Sequence, residues 1–316
     1  MATIYSTSPL FPDLVCRMEA SGHSVVVNER WPDLATLEVA DALISLLSNV
    51  VDAQMIEAHG TRLQVIANVA VGFENVDLNA ARAAGILVTN TPDVLTESTA
   101  DHAFALLLSC ARRIAESDAA VRRGEFPAWG LDQAFTGLDI HGKTLGIIGM
   151  GRIGTAVARR GRLGFGMRVV YNTRTRKPEV EQELGAEWLS MENLLACSDF
   201  VVLLVPLTSE TRHLIDRERL GLMKRTGILV NVSRGAVVDE TALAVALREG
   251  RIAGAGLDVF EQEPKVHPDL LGLHEHVTLS PHIASATHET RYAMAQLAVE
   301  NVLAVLEGKP PLTPVA

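Results

Sequence analysis

Short apolar runs separated by helix-compatible stretches organise roughly the first 95 residues: SVVV (24–27), ALISLL (42–47), LQVIANV (63–69) and GILVTN (85–90). Runs of this length fit strands covered on both faces, and their alternation with helical patterns predicts a parallel α/β sheet. The next segment, LTESTADHAFALLLSCARRIAESDAAVRR (95–123), contains neither Gly nor Pro and predicts one long helix, with Thr96 or Ser98 able to cap its start. GEFPAWGLDQAFTGLDIHG (124–142) is rich in turn residues and displays Trp129 and Phe135, the pattern of a loop-rich arm between domains or subunits. From Lys143 the alternation resumes through TLGIIG, RVVY, DFVVLLVP, GILVNVS, AGLDVF and VTLSP, with helical stretches among them and a last helix predicted over about 287 to 307.

Composition narrows the class. The 316 residues suggest two domains, and 48% hydrophobic with 21% charged residues is globular composition rather than disorder. A net charge of −10 offers no general attraction to nucleic acid or an anionic membrane, so any anionic ligand must be held by local groups. Cys16, Cys110 and Cys197 are odd in number and widely spaced, which fits reduced thiols and neither a metal site nor a disulfide framework. The start MATIYSTSPLF lacks the basic and apolar regions of a signal peptide, and no apolar segment reaches the roughly 18 residues that span a bilayer. A cytoplasmic protein with no metal and no membrane partner is expected.

The clearest chemical signal is GMGRIG, Gly149 to Gly154, between the strand pattern TLGII and the helix pattern TAVARRGRLGF. In that context Gly149 makes a tight turn, Gly151 lets the backbone approach a pyrophosphate, and Gly154 lets helix pack on strand. The amides of the helix start, at Arg152 and Ile153, then face the phosphates. An NAD site usually carries Asp or Glu about 20 residues further on. Here RVVY runs into Asn172, Thr173 and Arg174, and the first acid is Glu179, beyond Pro178. Arg174, helped by Thr173, Arg176 or Lys177, suits a 2′-phosphate, so NADP (NADPH) is the expected cofactor, with NAD possible.

Three later segments carry groups suited to reducing a carbonyl. NVSRGAVVDE places Arg234 just after a strand, where a guanidinium can hold a carboxylate bidentately. GLDVFEQEP brings Asp258, Glu261 and Glu263 to another strand end, and SPHIASAT brings His282 to a third. A carboxylate beside an imidazole favours the imidazolium, which can give a proton to a developing alkoxide. The residues alone leave open which acid serves the histidine.

In order, GMGRIG, LLVPLTSETRHLI, LVNVSRGAVVDETAL, GLDVFEQEP and LSPHIASAT resemble the D-isomer-specific 2-hydroxyacid dehydrogenases over nearly the whole chain, and most of all the glyoxylate/hydroxypyruvate and 2-ketogluconate reductases. The resemblance implies catalytic roles for Arg234, Glu263 and His282, with Glu263 rather than Glu261 as the partner of His282. It implies a nicotinamide carboxamide contact for Asp258, a cofactor lining from Pro206, Val232 and Ser233, and a cofactor-facing Thr99. It gives the backbone N–H groups of Val71 and Gly72 to the substrate carboxylate. The implied fold is α/β with two domains: a Rossmann-type doubly wound parallel sheet, residues 99–284, inserted into a flavodoxin-like substrate domain formed by 1–98 and 285–316. A homodimer is implied as well, in which an aromatic of the arm, here Trp129, reaches the partner's substrate pocket.

The expected activity is NAD(P)H-dependent reduction of a small 2-oxoacid to the D-2-hydroxyacid. The substrate side chain is not fixed: glyoxylate, hydroxypyruvate, 2-ketogluconate and an arylpyruvate all fit. A nucleotide-sensing, corepressor-like binding protein on the same fold is the alternative of a different class. A formate-type dehydrogenase would carry Gln at the position of Glu263.

Overall fold

A computed structural model describes residues 1–28, 39–131 and 133–315. The chain forms two compact units, Met1–Leu95 with Ala286–Ala316, and Thr96–Ser285. The first crossing thus falls three residues before the expected boundary at 98, because Thr96 already opens a helix of the second unit.

In the first unit β1 (Thr3–Ser6), α1 (Pro12–Ala20), β2 (Ser24–Val27), β3 (Ala42–Ser45), α2 (Ala53–Ala58), β4 (Val65–Asn68), α3 (Leu78–Ala83) and β5 (Leu87–Thr89) follow in order. Their strands form a parallel sheet ordered β2-β1-β3-β4-β5. Strand β1 escapes the pattern reading because TIYS has only two apolar residues, yet Ile4 and Tyr5 are both buried. Asp52 and Asp77 cap α2 and α3, each accepting a bond from a first-turn amide.

The second unit starts with α4 (Thr96–Ala111) and α5 (Ile114–Arg122), two helices where the sequence predicts one. Thr96 is the first residue of α4 and Ser98 lies inside it. The break comes at Arg113, whose φ of 53° is left-handed. The arm captures the helix end there: Leu138 N–H donates to the Ala111 carbonyl, and the Arg113 guanidinium pairs with Glu116 while lying 5.4 Å from the Phe135 ring centre. These contacts come from residues more than 20 positions downstream as well as from the neighbouring turn, so helix propensity could not show them. Phe126, Trp129 and Leu131 of the arm stay largely exposed.

Then follow β6 (Thr144–Ile148), α6 (Arg152–Arg159), β7 (Arg168–Asn172), α7 (Pro178–Leu184), β8 (Glu187–Trp188), α8 (Met191–Cys197), β9 (Phe200–Leu203), α9 (Arg217–Leu222), β10 (Ile228–Asn231), α10 (Glu240–Arg248), β11 (Gly254–Leu257), α11 (Pro268–Leu271) and β12 (Val277–Leu279). The chain closes in the first unit with α12 (His288–Leu306).

The seven strands are parallel and ordered β12-β11-β10-β9-β6-β7-β8. Alternate residues enter two cores: Ile147, Tyr171, Val202 and Val230 on one face, Ile148, Val170, Val201 and Leu229 on the other. Both faces are therefore covered, which is why these strands read as unbroken apolar runs. Each fully buried Val, Leu or Ile contributes about 1.5–3 kcal/mol of transfer free energy.

Candidate active site

Because every strand of the second sheet is parallel, all of its carboxyl ends open on one edge. The chain leaves β6 for β7 and β8 on one side, then crosses to β9 and the strands beyond on the other, so the order reverses at β6. Ligands of open α/β sheets bind at such a reversal. GMGRIG follows β6 directly, Arg174 follows β7, Pro206 follows β9, Arg234 follows β10, Asp258 follows β11 and His282 follows β12.

At β6 the backbone is shaped for a close visitor. Gly149 has φ of 104°, a left-handed value that disfavours a side chain, and a Cβ there would press on the Leu204 carbonyl. A Cβ at Gly154 would overlap the Gly149 carbonyl oxygen, so turn and helix are in backbone contact. Gly151, the N-cap of α6, has open space where its Cβ would be. That is the cradle a pyrophosphate needs, with the first amides of α6 at its rim. Arg152 is exposed, and Ile153 packs on the adjoining core.

The cations after β7 are not equivalent. Arg176 is a bidentate partner of Glu181, which also accepts a bond from the Tyr171 hydroxyl. Thr173 spends its hydroxyl proton on the Thr175 carbonyl. Both groups that the sequence offers to a phosphate thus have local acceptors in the structure. Arg174 is exposed and makes no ion pair among the described residues, although its charge helps hold Glu210 ionised, after the bonds of Glu210 to Thr208 and its own loop.

At the end of β10, Asn231 organises the loop that follows: its Oδ1 accepts from the Ser233 N–H and hydroxyl, and its Nδ2 donates to the Arg234 carbonyl. Val232 and Ser233 are buried and Arg234 is half-buried, with Nη1 donating to the Ser233 carbonyl. A Cβ on Gly235 would collide with the backbone of Phe260, so this loop and the one after β11 lie against each other. The two acids of the second loop then separate. Glu263 Oε2 lies 2.8 Å from His282 Nδ1, and its Oε1 accepts from Phe260 N–H. Glu261 turns away: Oε1 accepts from Glu240 N–H while Glu240 Oε1 accepts from Glu261 N–H, and Oε2 lies 3.0 Å from His213 Nε2. Geometry alone thus pairs His282 with Glu263.

Burial would raise the Glu263 pKa, but the bonds from His282 and Phe260 N–H and the nearby charges of His282 and Arg234 outweigh it and hold the carboxyl below its ordinary value. With Nδ1–H directed at this carboxylate, Nε2 is the nitrogen of His282 left to exchange a proton. His282 itself has φ of 54°, a left-handed conformation that costs a non-glycine residue about 1–2 kcal/mol. Asp258 holds it there. One residue takes three consecutive amides: its carbonyl accepts from His282 N–H, Oδ1 from Ile283 N–H and Oδ2 from Ala284 N–H, each at 2.8 Å. Asp258 is fully buried, and Oδ1 also accepts from the Ser280 hydroxyl at 2.6 Å. Asp258, to which the resemblance gives a nicotinamide carboxamide contact, thus has both carboxylate oxygens engaged by this segment.

Thr99 is buried on α4, and Pro206 is exposed with its carbonyl accepting from Thr211. Trp129 is 83% exposed. In the first unit, Val71 and Gly72 follow β4; their carbonyls accept from Asn90 and Asn68, while their N–H groups have no protein acceptor among the described residues. Asn231, Ser280 and His102, which meets Ser280 at 2.9 Å, are the site-supporting residues that motif reading passes over. Asn231 and Ser280 each lie inside a quoted motif, whereas His102 lies on α4, outside the catalytic segments.

Residues 104–284 match the family model described as D-isomer specific 2-hydroxyacid dehydrogenase, NAD binding domain. A glyoxylate reductase of Thermococcus onnurineus is 55% identical over 276 residues, covering 86% of this chain and 82% of that protein. One from Aeropyrum pernix is 47% identical, covering 98% of this chain and 94% of its own. Among solved structures, a Thermus thermophilus protein superposes with a TM-score of 0.92 at 46% identity, covering 99% of this chain and 100% of that one. The NADPH-dependent glyoxylate/hydroxypyruvate reductase of Sinorhizobium meliloti, solved with NADP and malonate, gives 0.87 at 37% identity, covering 99% and 96%.

Proposed function

The chain belongs to the D-isomer specific 2-hydroxyacid dehydrogenases, oxidoreductases acting on CH–OH donors, and from that premise we propose that it reduces glyoxylate or hydroxypyruvate to the D-2-hydroxyacid with NADPH. The observation that carries this reading is the His282–Glu263 pair on the same sheet edge as Arg234 and the glycine cradle. The reduced nicotinamide supplies the hydride. His282 Nε2 gives the proton to the carbonyl oxygen, and Glu263 orients the ring through Nδ1. Arg234 holds the carboxylate of the 2-oxoacid as a forked donor and polarises the adjoining carbonyl. In the first unit, the N–H groups of Val71 and Gly72 are donors suited to a carboxylate. Arg174, without an ion-pair partner among the described residues, meets the 2′-phosphate that distinguishes NADPH. The names of the curated relatives favour glyoxylate over bulkier acids. The enzyme works in the cytoplasm, in keeping with its free cysteines, as a homodimer that covers the exposed apolar residues of the arm and brings Trp129 to the partner's pocket.

Initial rates of NADPH and NADH oxidation against glyoxylate, hydroxypyruvate, 2-ketogluconate and phenylpyruvate test the reading, with His282→Asn as control. Glyoxylate or hydroxypyruvate should give the highest kcat/KM, and the variant should lose about 10²- to 10⁴-fold in kcat while still binding NADPH. Tight NADPH binding without turnover on any 2-oxoacid would favour a nucleotide-sensing protein instead.

A further inference from the structure

The segment that carries His282 is tied to a helix that no catalytic motif includes. His102, on α4, sits with Nε2 2.9 Å from the Ser280 hydroxyl and 3.2 Å from Asp258 Oδ1. The Ser280 hydroxyl donates its proton to that same Oδ1, at 2.6 Å. Its oxygen is then left to accept, so the donor must be His102, with its proton on Nε2. Asp258 Oδ1 thus gathers Ser280, His102 and the Ile283 N–H, while the rest of Asp258 takes the amides of His282 and Ala284.

Two features make this more than packing. Asp258 is completely buried, so a donor removed from its carboxylate cannot be replaced by bulk water without opening the loop. And the loop it holds keeps His282 in a left-handed conformation that a relaxed chain would leave, turning Nδ1 away from Glu263. Helix α4 packs on β10, β11 and β12, so a bond from α4 ties the segment to a rigid element.

We propose that His102 is a positioning residue for proton transfer: by donating to Ser280 and Asp258, it fixes the backbone that aims His282. The inference rests on the reading of His282 as proton donor. It assigns to α4 a part in the chemistry that neither the nucleotide fingerprint nor the three catalytic segments contain.

The test uses the full-length enzyme with NADPH and glyoxylate. His102→Leu keeps bulk and loses the donor; His102→Gln keeps an amide donor. In the Leu variant kcat should fall by about 10- to 100-fold, the cost of a slightly misplaced catalytic group, with the KM for NADPH changed by no more than about twofold. Hydrogen–deuterium exchange of the 280–285 segment should quicken, and the Gln variant should recover most of both properties. A Leu variant with wild-type kcat and exchange would overturn the proposal, as would a Gln variant no better than Leu, since that marks a merely structural role. If the Leu variant does not fold, Ser280→Ala serves in its place, with the same kcat loss and quickened exchange expected and unchanged values overturning the proposal. Inactive His282→Asn beside a normal His102→Leu would remove the positioning role alone; active His282→Asn would instead remove the proton-donor reading.

Discussion

Of the two arginines after β7, the structure predicts that only one discriminates between cofactors. Arg176 is locked to Glu181 through two bonds of 3.0 and 2.6 Å, and the same carboxylate accepts from Tyr171, so its charge is already neutralised locally. Arg174 is exposed and has no such partner among the described residues. A 2′-phosphate carries about −1.5 to −2 charges near neutral pH, and a hydrogen bond to a charged group is worth about 1.5–3 kcal/mol, or roughly 10- to 150-fold in affinity. The lower end applies here, because the site is exposed to salt and Glu210 lies within the field of Arg174, where it would repel the phosphate. Arg174→Ala should therefore raise the KM for NADPH by about tenfold, and Arg174→Asp by more, while the KM for NADH moves by less than about threefold. The assay is initial-rate kinetics with both cofactors at saturating glyoxylate, at two ionic strengths. The NADPH effect should shrink at higher salt. Equal losses with both cofactors, or a larger loss of discrimination from Arg176→Ala, would refute the reasoning.

Two further tests address the cradle and the loop. Gly151→Ala should fold normally, since no described residue beyond its chain neighbours lies within 4 Å of the new methyl group, yet weaken NADPH and NADH alike by about tenfold or more where the pyrophosphate would lie; normal binding of both, measured by fluorescence titration, would exclude the cradle. The pKa values of Asp258 and Glu263 are both lowered in the fold, burial being outweighed by their hydrogen bonds, so each stabilises the protein above the ordinary carboxylate range and loses that contribution as pH falls from about 4 through its depressed value. Asp258→Asn should be less stable at neutral pH but show a shallower fall in thermal midpoint between about pH 5 and 3; a slope as steep as that of the parent would contradict the linkage.

How much of this was legible beforehand depended on the range of the interaction. The strands of the second unit could be read because both of their faces are buried, and GMGRIG because its turn, cap and close helix packing are local. His282 and Glu263 could be suspected singly, but the choice between Glu261 and Glu263 depends on how one loop folds against α10, a contact between residues about 20 positions apart. The pairing of Arg176 with Glu181, five residues along, depends on how the chain turns into α7, which the apolar pattern does not specify. The break at Arg113 was hidden for a similar reason: the arm that stabilises it lies beyond α5. His102 is separated from Ser280 by 178 positions, and no spacing rule reaches so far.

The contact at Gly235 bears on how such an enzyme can be modified. With the loops after β10 and β11 touching backbone to backbone, there is no side chain in the joint to enlarge, shrink or recharge. The backbone of the Arg234 loop is therefore held close against the turn that carries Glu263. Changes of substrate range have to be sought in residues that meet the variable end of the molecule, and libraries that spare positions 231–235 and 258–263 should retain far more active members than libraries that include them.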